Sequence, residues 1–252
     1  VYVKAENPNY ETVTGSGTVT ITKKKITLEG SDSVVYNGSE QKLELDASAA
    51  TGVVSGETLG FDRKPTAKGT DAGTYGGTWK RDDTSSYDFN FGSWYVTKAN
   101  NDDSTDNYEL EITGTLTITK KPITITINGN SDTKVYNGEE QTSETEVTPS
   151  CSDSLFDASK FSYTGATTIT KTDVGEYTEA IDTTKASYDD DNLDVTFVAG
   201  TSVTFEITKA TMTLDVENYS GEYDGTAHSV TATPSVTEGT TLYYSTKNPS
   251  AE

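Results

Sequence analysis

The tripeptide Ile-Thr-Lys occurs three times, at Ile21–Lys23, Ile118–Lys120 and Ile207–Lys209, so its copies stand 97 and 89 residues apart. Each copy ends a segment in which polar and apolar residues alternate: Gly17-Thr-Val-Thr-Ile-Thr-Lys23, Gly114-Thr-Leu-Thr-Ile-Thr-Lys120 and Ser202-Val-Thr-Phe-Glu-Ile-Thr-Lys209. A second alternating segment follows almost at once, as Lys25–Leu28, Pro122–Ile127 and Thr211–Val216. About ten residues later comes a Tyr-Asn-Gly or Tyr-Asp-Gly sequence, ending at Gly38, Gly138 and Gly225. Period-two alternation marks strands with one buried face, and Asn-Gly or Asp-Gly supplies the positive φ of a tight turn. Three landmarks in a fixed order at one spacing predict tandem β domains.

The boundaries follow from the landmarks. Residues 1–23 read as the C-terminal strands of a preceding repeat, with a turn at Asn7-Pro8-Asn9; 24–120 and 121–209 read as complete repeats; 210–252 read as the N-terminal strands of a further one. The opening Val1-Tyr2-Val3 has the character of mid-strand, so the chain is expected to be an excerpt of something longer. The alternative is a fibre subunit whose end strands complete the next chain. Both complete repeats carry Asp-x-Gly-x-Tyr, at Asp71–Tyr75 and Asp173–Tyr177. That is the local pattern of a tyrosine corner, in which the hydroxyl bonds back to the backbone at the edge of a β-sandwich. The expected fold is all-β: antiparallel, Ig-like sandwiches, joined without flexible linkers and arranged end to end as a rod. One or two helical turns are expected at most, at Ser154–Phe161.

Composition excludes several classes. Forty acidic against nineteen basic residues give a net charge of −21, which repels nucleic acid and anionic lipid. No apolar run is long enough to span a membrane. Apolar residues make up 32%, low enough to suggest disorder, yet 15 Tyr, 7 Phe, 2 Trp and 46 Thr favour pleated sheet over a solvated coil. A single cysteine, Cys151, permits no internal disulfide.

Together, Ile-Thr-Lys-Lys-Pro, Tyr-Asn/Asp-Gly, Asp-x-Gly-x-Tyr and Gly-Thr-Leu-Thr-Ile-Thr-Lys resemble the MBG/YDG-type and Ig-like stalk repeats of large bacterial cell-surface adhesins. The resemblance covers the whole chain, and its motifs are structural. It implies an extracellular location on a bacterial surface and a role in adhesion or in projecting a distal binding region. It also implies that the chain's main partners are neighbouring repeats of the same polypeptide.

Candidate chemistry is sparse. Cys151 and His228 lie in different repeats, and no nucleophile–base pair is local to either, so no enzyme activity is expected. Two acidic loops precede closing strands, at 100–107 and 188–194. In the second, Asp189, Asp191, Asn192 and Asp194 could offer calcium oxygen ligands, although the spacing of a dedicated calcium loop is missing. A solvated acidic turn is the plainer reading. Trp79 and Trp94, with Tyr87, Phe89, Phe91 and Tyr95, could form a face for host glycan or mucin, or could simply fill the core. Lys23, Lys120 and Lys209 end equivalent strands, where solvent exposure argues against an isopeptide crosslink. A structural stalk segment is therefore the leading expectation, with a carbohydrate-binding module and a strand-exchanging fibre as alternatives.

Overall fold

A computed structural model describes residues 1–80, 89 and 91–246. The fold is all-β. In chain order the strands are β1 (Tyr2–Asn7), β2 (Tyr10–Ser16), β3 (Lys24–Val35), β4 (Gln41–Glu44), β5 (Glu57–Phe61), β6 (Thr66–Gly69), β7 (Gly73–Lys80), β8 (Trp94–Lys98) and β9 (Tyr108–Thr119). They continue as β10 (Lys121–Gly129), β11 (Ser131–Val135), β12 (Gln141–Thr142), β13 (Val147–Ser150), β14 (Phe161–Tyr163), β15 (Thr170–Lys171), β16 (Gly175–Glu179), β17 (Ala186–Tyr188), β18 (Leu193–Ala199) and β19 (Val203–Thr208). The last two are β20 (Leu214–Glu217) and β21 (Thr231–Pro234). Helical structure among the described residues is limited to single 3-10 turns. One of these, Ala158–Lys160, is all that forms where Ser154–Phe161 suggested helix.

Two compact units divide the chain. The first contains Val1–Ile125, Cys151–Phe161 and Tyr188–Thr196; the second contains Thr126–Ser150, Ser162–Ser187 and the chain from Phe197 onward. This division does not follow the sequence period, because two segments of 121–209 belong with the first unit.

In the first unit the principal sheet has the order β3-β9-β7. β9 is its centre, and its residues alternate strictly inward from Tyr108 through Leu110, Ile112, Leu116 and Ile118, all at most 2% exposed. Their inward faces meet Ile26 and Leu28 of β3, Leu45, Leu59, Ala67, Phe89, Phe91 and Val96 in one core. Gly114 interrupts the apolar series on β9 because Phe89 and Leu45 occupy the space above it: a Cβ there would stand 2.6 Å from the Phe89 ring. The strand pairs β4–β6 and β5–β8 close over this core, both antiparallel.

The second unit repeats the arrangement with a smaller core. Its sheet has the order β11-β19-β16, and Ile127, Ile169, Ile181, Val203, Phe205 and Ile207 are its buried apolar residues. β10 and β13 pair antiparallel from Thr126↔Ser150 to Gly129↔Val147.

The registers of the two sheets coincide. Gly73 pairs with Ile118 and Tyr75 with Leu116; Gly175 pairs with Ile207 and Tyr177 with Phe205. Val35 pairs with Thr119 and Val135 with Thr208. The Ile-Thr-Lys strand, the Asp-x-Gly-x-Tyr strand and the strand before Tyr-Asn-Gly thus meet in the same way twice.

One expectation needs correction. The sheets are mixed, not purely antiparallel: β3 runs parallel to β9 through twelve residue pairs, and β11 runs parallel to β19. Alternation reports which face of a strand is buried and is silent on direction. The segment that reads as the closing strand of a preceding repeat also departs from expectation. β1 and β2 form the hairpin about Pro8-Asn9, but 18–23 forms no strand and is wholly exposed. That segment has no counterpart of β3 or β7 to pair with among the described residues. At the other end β20 pairs with β21, and Thr241–Tyr244 lies outside any strand.

Candidate functional site

The sequence landmarks become two small devices, each built twice. At the corners, the Tyr75 hydroxyl donates to the Asp71 carbonyl at 2.8 Å, and the Tyr177 hydroxyl donates to the Asp173 carbonyl at 2.9 Å. Each bond spans four residues and fixes a loop against the strand that follows it, which is the geometry of a tyrosine corner.

At the turns, Gly38, Gly138 and Gly225 all have positive φ, near +80°. The preceding Asn37, Asn137 and Asp224 each accept from the backbone N–H two residues on, at 2.9 Å. Gln41 and Gln141 then reach back to the carbonyls of Val35 and Val135, at 3.2 and 3.1 Å. In the third copy the corresponding residue is His228. It stacks on Tyr219 with a centroid distance of 4.1 Å, and its Nε2 lies 2.8 Å from Asp224 Oδ1.

Most of the described aromatic residues singled out in the 24–120 repeat turn inward. Trp79 and Trp94 are half-buried and pack against the core of the first unit; Trp79 meets Phe91 edge-on at 5.0 Å. Phe89 and Phe91 are buried in that core, and Tyr95 is 44% exposed. Tyr87 lies outside the described residues. Packed against the core, each of these rings removes a large area from water.

In the acidic loop at 188–194 the side chains divide between solvent and hydrogen bonds. Asp189, Asp191 and Asp194 are exposed, whereas Asp190 and Asn192 are half-buried. Asp190 binds the Lys160 ammonium at 2.8 Å and accepts the Asn192 N–H at 2.9 Å. Burial pushes its carboxyl up, and those two partners pull it down by more. Asn192 turns its carboxamide onto the Asp71–Ala72 loop. Among the described residues no three acidic, His or Cys side chains gather to hold a metal ion.

Five of the forty acidic residues have a local purpose that reading for charge alone overlooks. Asp46, Asp157 and Asp182 each cap a single 3-10 turn and accept both the N–H and the hydroxyl of a Ser or Thr two residues on. Asp103 and Asp224 make the same pair of bonds, to Thr105 and Thr226. The signal is Asp-x-Ser/Thr, in which a short carboxylate offers the backbone an alternative to a ladder bond. These hydrogen bonds hold all five carboxyls below the ordinary range, aided at Asp46 by Lys64 and at Asp224 by His228. A depressed folded-state pKa stabilises above the unfolded value of about 3.9 and is lost as pH falls through the folded value. Asn caps as well as Asp without titrating. The Asp157→Asn/Asp182→Asn variant should therefore lose less melting temperature than the parent on acidification from about pH 5 to below pH 3. An equal loss in both would show that the caps carry no acid sensitivity.

Cys151 is half-buried, with the Asp153 N–H 3.4 Å from its sulfur. Lys23, Lys120 and Lys209 are exposed at the ends of their segments. No helix among the described residues is long and apolar enough to cross a membrane. Compared with known proteins, the chain matches no family model and no curated sequence.

Proposed function

We propose that this chain is a structural stalk segment of a bacterial cell-surface adhesin, in which tandem β domains project a distal binding region and transmit tension along the chain. The observation that carries this reading is the parallel pairing of the first and last strands of the 24–119 repeat. Chain enters at Lys24, which pairs with Tyr108, and leaves at Thr119, which pairs with Val35. Entry and exit therefore lie at opposite ends of one ladder. A pull on the two ends loads all twelve pairs in shear at once, whereas an antiparallel terminal pair would open one hydrogen bond at a time. β11 and β19 place the same geometry in the next repeat. Strands follow one another across Thr119–Lys121 with no flexible linker to absorb the load.

Forced unfolding tests this directly. Pulled from its ends, the 24–119 repeat should open in a single step that releases on the order of 300 Å of chain, given about 3.3–3.6 Å per extended residue. In a Cys151→Ser background, handles at Lys25→Cys and Glu109→Cys grip paired residues at one end of the same ladder. They should unzip it at a distinctly lower force. Equal forces in the two geometries would remove the tension-bearing role.

A further inference from the structure

Asn192 makes a two-point polar contact with residues distant in sequence. Its Oδ1 accepts the Ala72 N–H at 2.7 Å, and its Nδ2 donates to Asp71 Oδ1 at 3.1 Å. The two halves lie 120 residues apart, one in each complete repeat, and both belong to the first compact unit. Neither half is loose. The Asp71 carbonyl is fixed by the Tyr75 hydroxyl. Asn192 is held by its own backbone, whose carbonyl accepts the Lys121 N–H at 3.0 Å and whose N–H donates to Asp190. A second approach joins the same two repeats: Leu155 lies against the turn at Gly38, where a Cβ would stand 3.0 Å from its Cδ2. The 24–119 repeat thus presents its corner loop and its Tyr-Asn-Gly turn, and the following repeat covers both.

Each half of the contact exists a second time. Asn107 follows an Asp and immediately precedes closing strand β9, as Asn192 follows Asp191 and precedes β18. Its side chain is exposed. The loop Asp173-Val174-Gly175 carries the same tyrosine corner as Asp71-Ala72-Gly73, and Val174 is 43% exposed. Among the described residues, one molecule therefore displays the joint once made and each of its halves once more without the other.

We propose that the Asp-x-Gly-x-Tyr loop is an inter-repeat socket, and that its partner is the asparagine one residue before a strand at the closing-strand position in the repeat that follows. By this rule the Asp173–Val174 socket takes a further repeat carrying Asn at that position, and Asn107 fits the socket of a preceding one. The chemistry selects a carboxamide. The socket offers a backbone N–H next to a carboxylate, so its partner must accept and donate from adjacent atoms. A lysine has no acceptor, and an aspartate would set a second negative charge against Asp71. The inference rests on the tandem-repeat reading for its purpose, and its geometry stands independently of the mechanical role.

The test uses the whole chain and a pair of reciprocal substitutions. Asn192→Asp keeps an acceptor for Ala72 but faces Asp71 with like charge. Asp71→Asn in the same molecule restores a donor–acceptor pair with the roles exchanged. Amide hydrogen exchange at Ala72 should quicken about tenfold in the single variant and return to within about threefold of the parent in the double variant. The amides of β9, in the same unit as the contact, report whether its fold persists. Unchanged exchange at Ala72 in the Asn192→Asp protein would overturn the socket, as would failure of the double variant to rescue. If the socket falls while the single-step forced unfolding remains, the stalk reading stands without it.

Discussion

Phe205→Ala is expected to cost the second unit about 3–5 kcal/mol, the usual penalty for truncating a fully buried aromatic and leaving its cavity. Phe205 is completely buried at the centre of β19, opposite Tyr177, in a core of only a few large side chains. Domains have net stabilities of about 5–15 kcal/mol, so a loss of that size removes much or all of the margin. The expected result in urea is unfolding of the second unit at far lower denaturant, with the first unit's transition little moved. A penalty below about 1 kcal/mol would mean that Phe205 does not occupy the packed position described.

A comparably large effect is expected from adding a single methyl group. Gly76, inside β7, has φ +93°, and a Cβ there would overlap the Gly114 carbonyl on the neighbouring strand. An L side chain is strained in that conformation at about 1–3 kcal/mol, and backbone cannot move aside as a flexible side chain can. Gly76→Ala should therefore destabilise the first unit by about 2–4 kcal/mol. Its neighbour provides the control: Gly77 has an ordinary φ, and a Cβ there would meet nothing within 4 Å. Gly77→Ala should stay within about 0.5 kcal/mol of the parent. Similar penalties at the two positions would contradict the strand geometry.

These two sites also show what was legible in the sequence. Phe205 lies on an alternating strand closed by Ile-Thr-Lys, so its burial follows from period two alone. The coincident registers of Tyr75 and Tyr177 were likewise implied by landmarks at constant spacing. Gly76 was not distinguishable from Gly77, because the sequence gives composition at a position and not its φ. Strand direction was hidden for a related reason. β3 would show the same alternation whether it ran parallel or antiparallel to β9, so the shear geometry of the repeat emerges only from the pairing. The acidic residues were legible to different degrees. Asp46, Asp157 and Asp182 carry a recognisable capping signature, whereas the task of Asn192 depends on a loop 120 residues earlier that no local pattern announces.

The stalk proposed above requires repeats that extend in line, and small-angle X-ray scattering of the whole chain tests this. Sandwiches about 35–40 Å long, stacked end to end, should give a maximum dimension on the order of 100 Å or more and a radius of gyration near 30 Å. A compact body of 252 residues would instead have a radius of gyration of about 18 Å. A profile with the cross-section of a single sandwich and the longer dimension is the predicted result. A radius of gyration near the compact value would contradict the stalk.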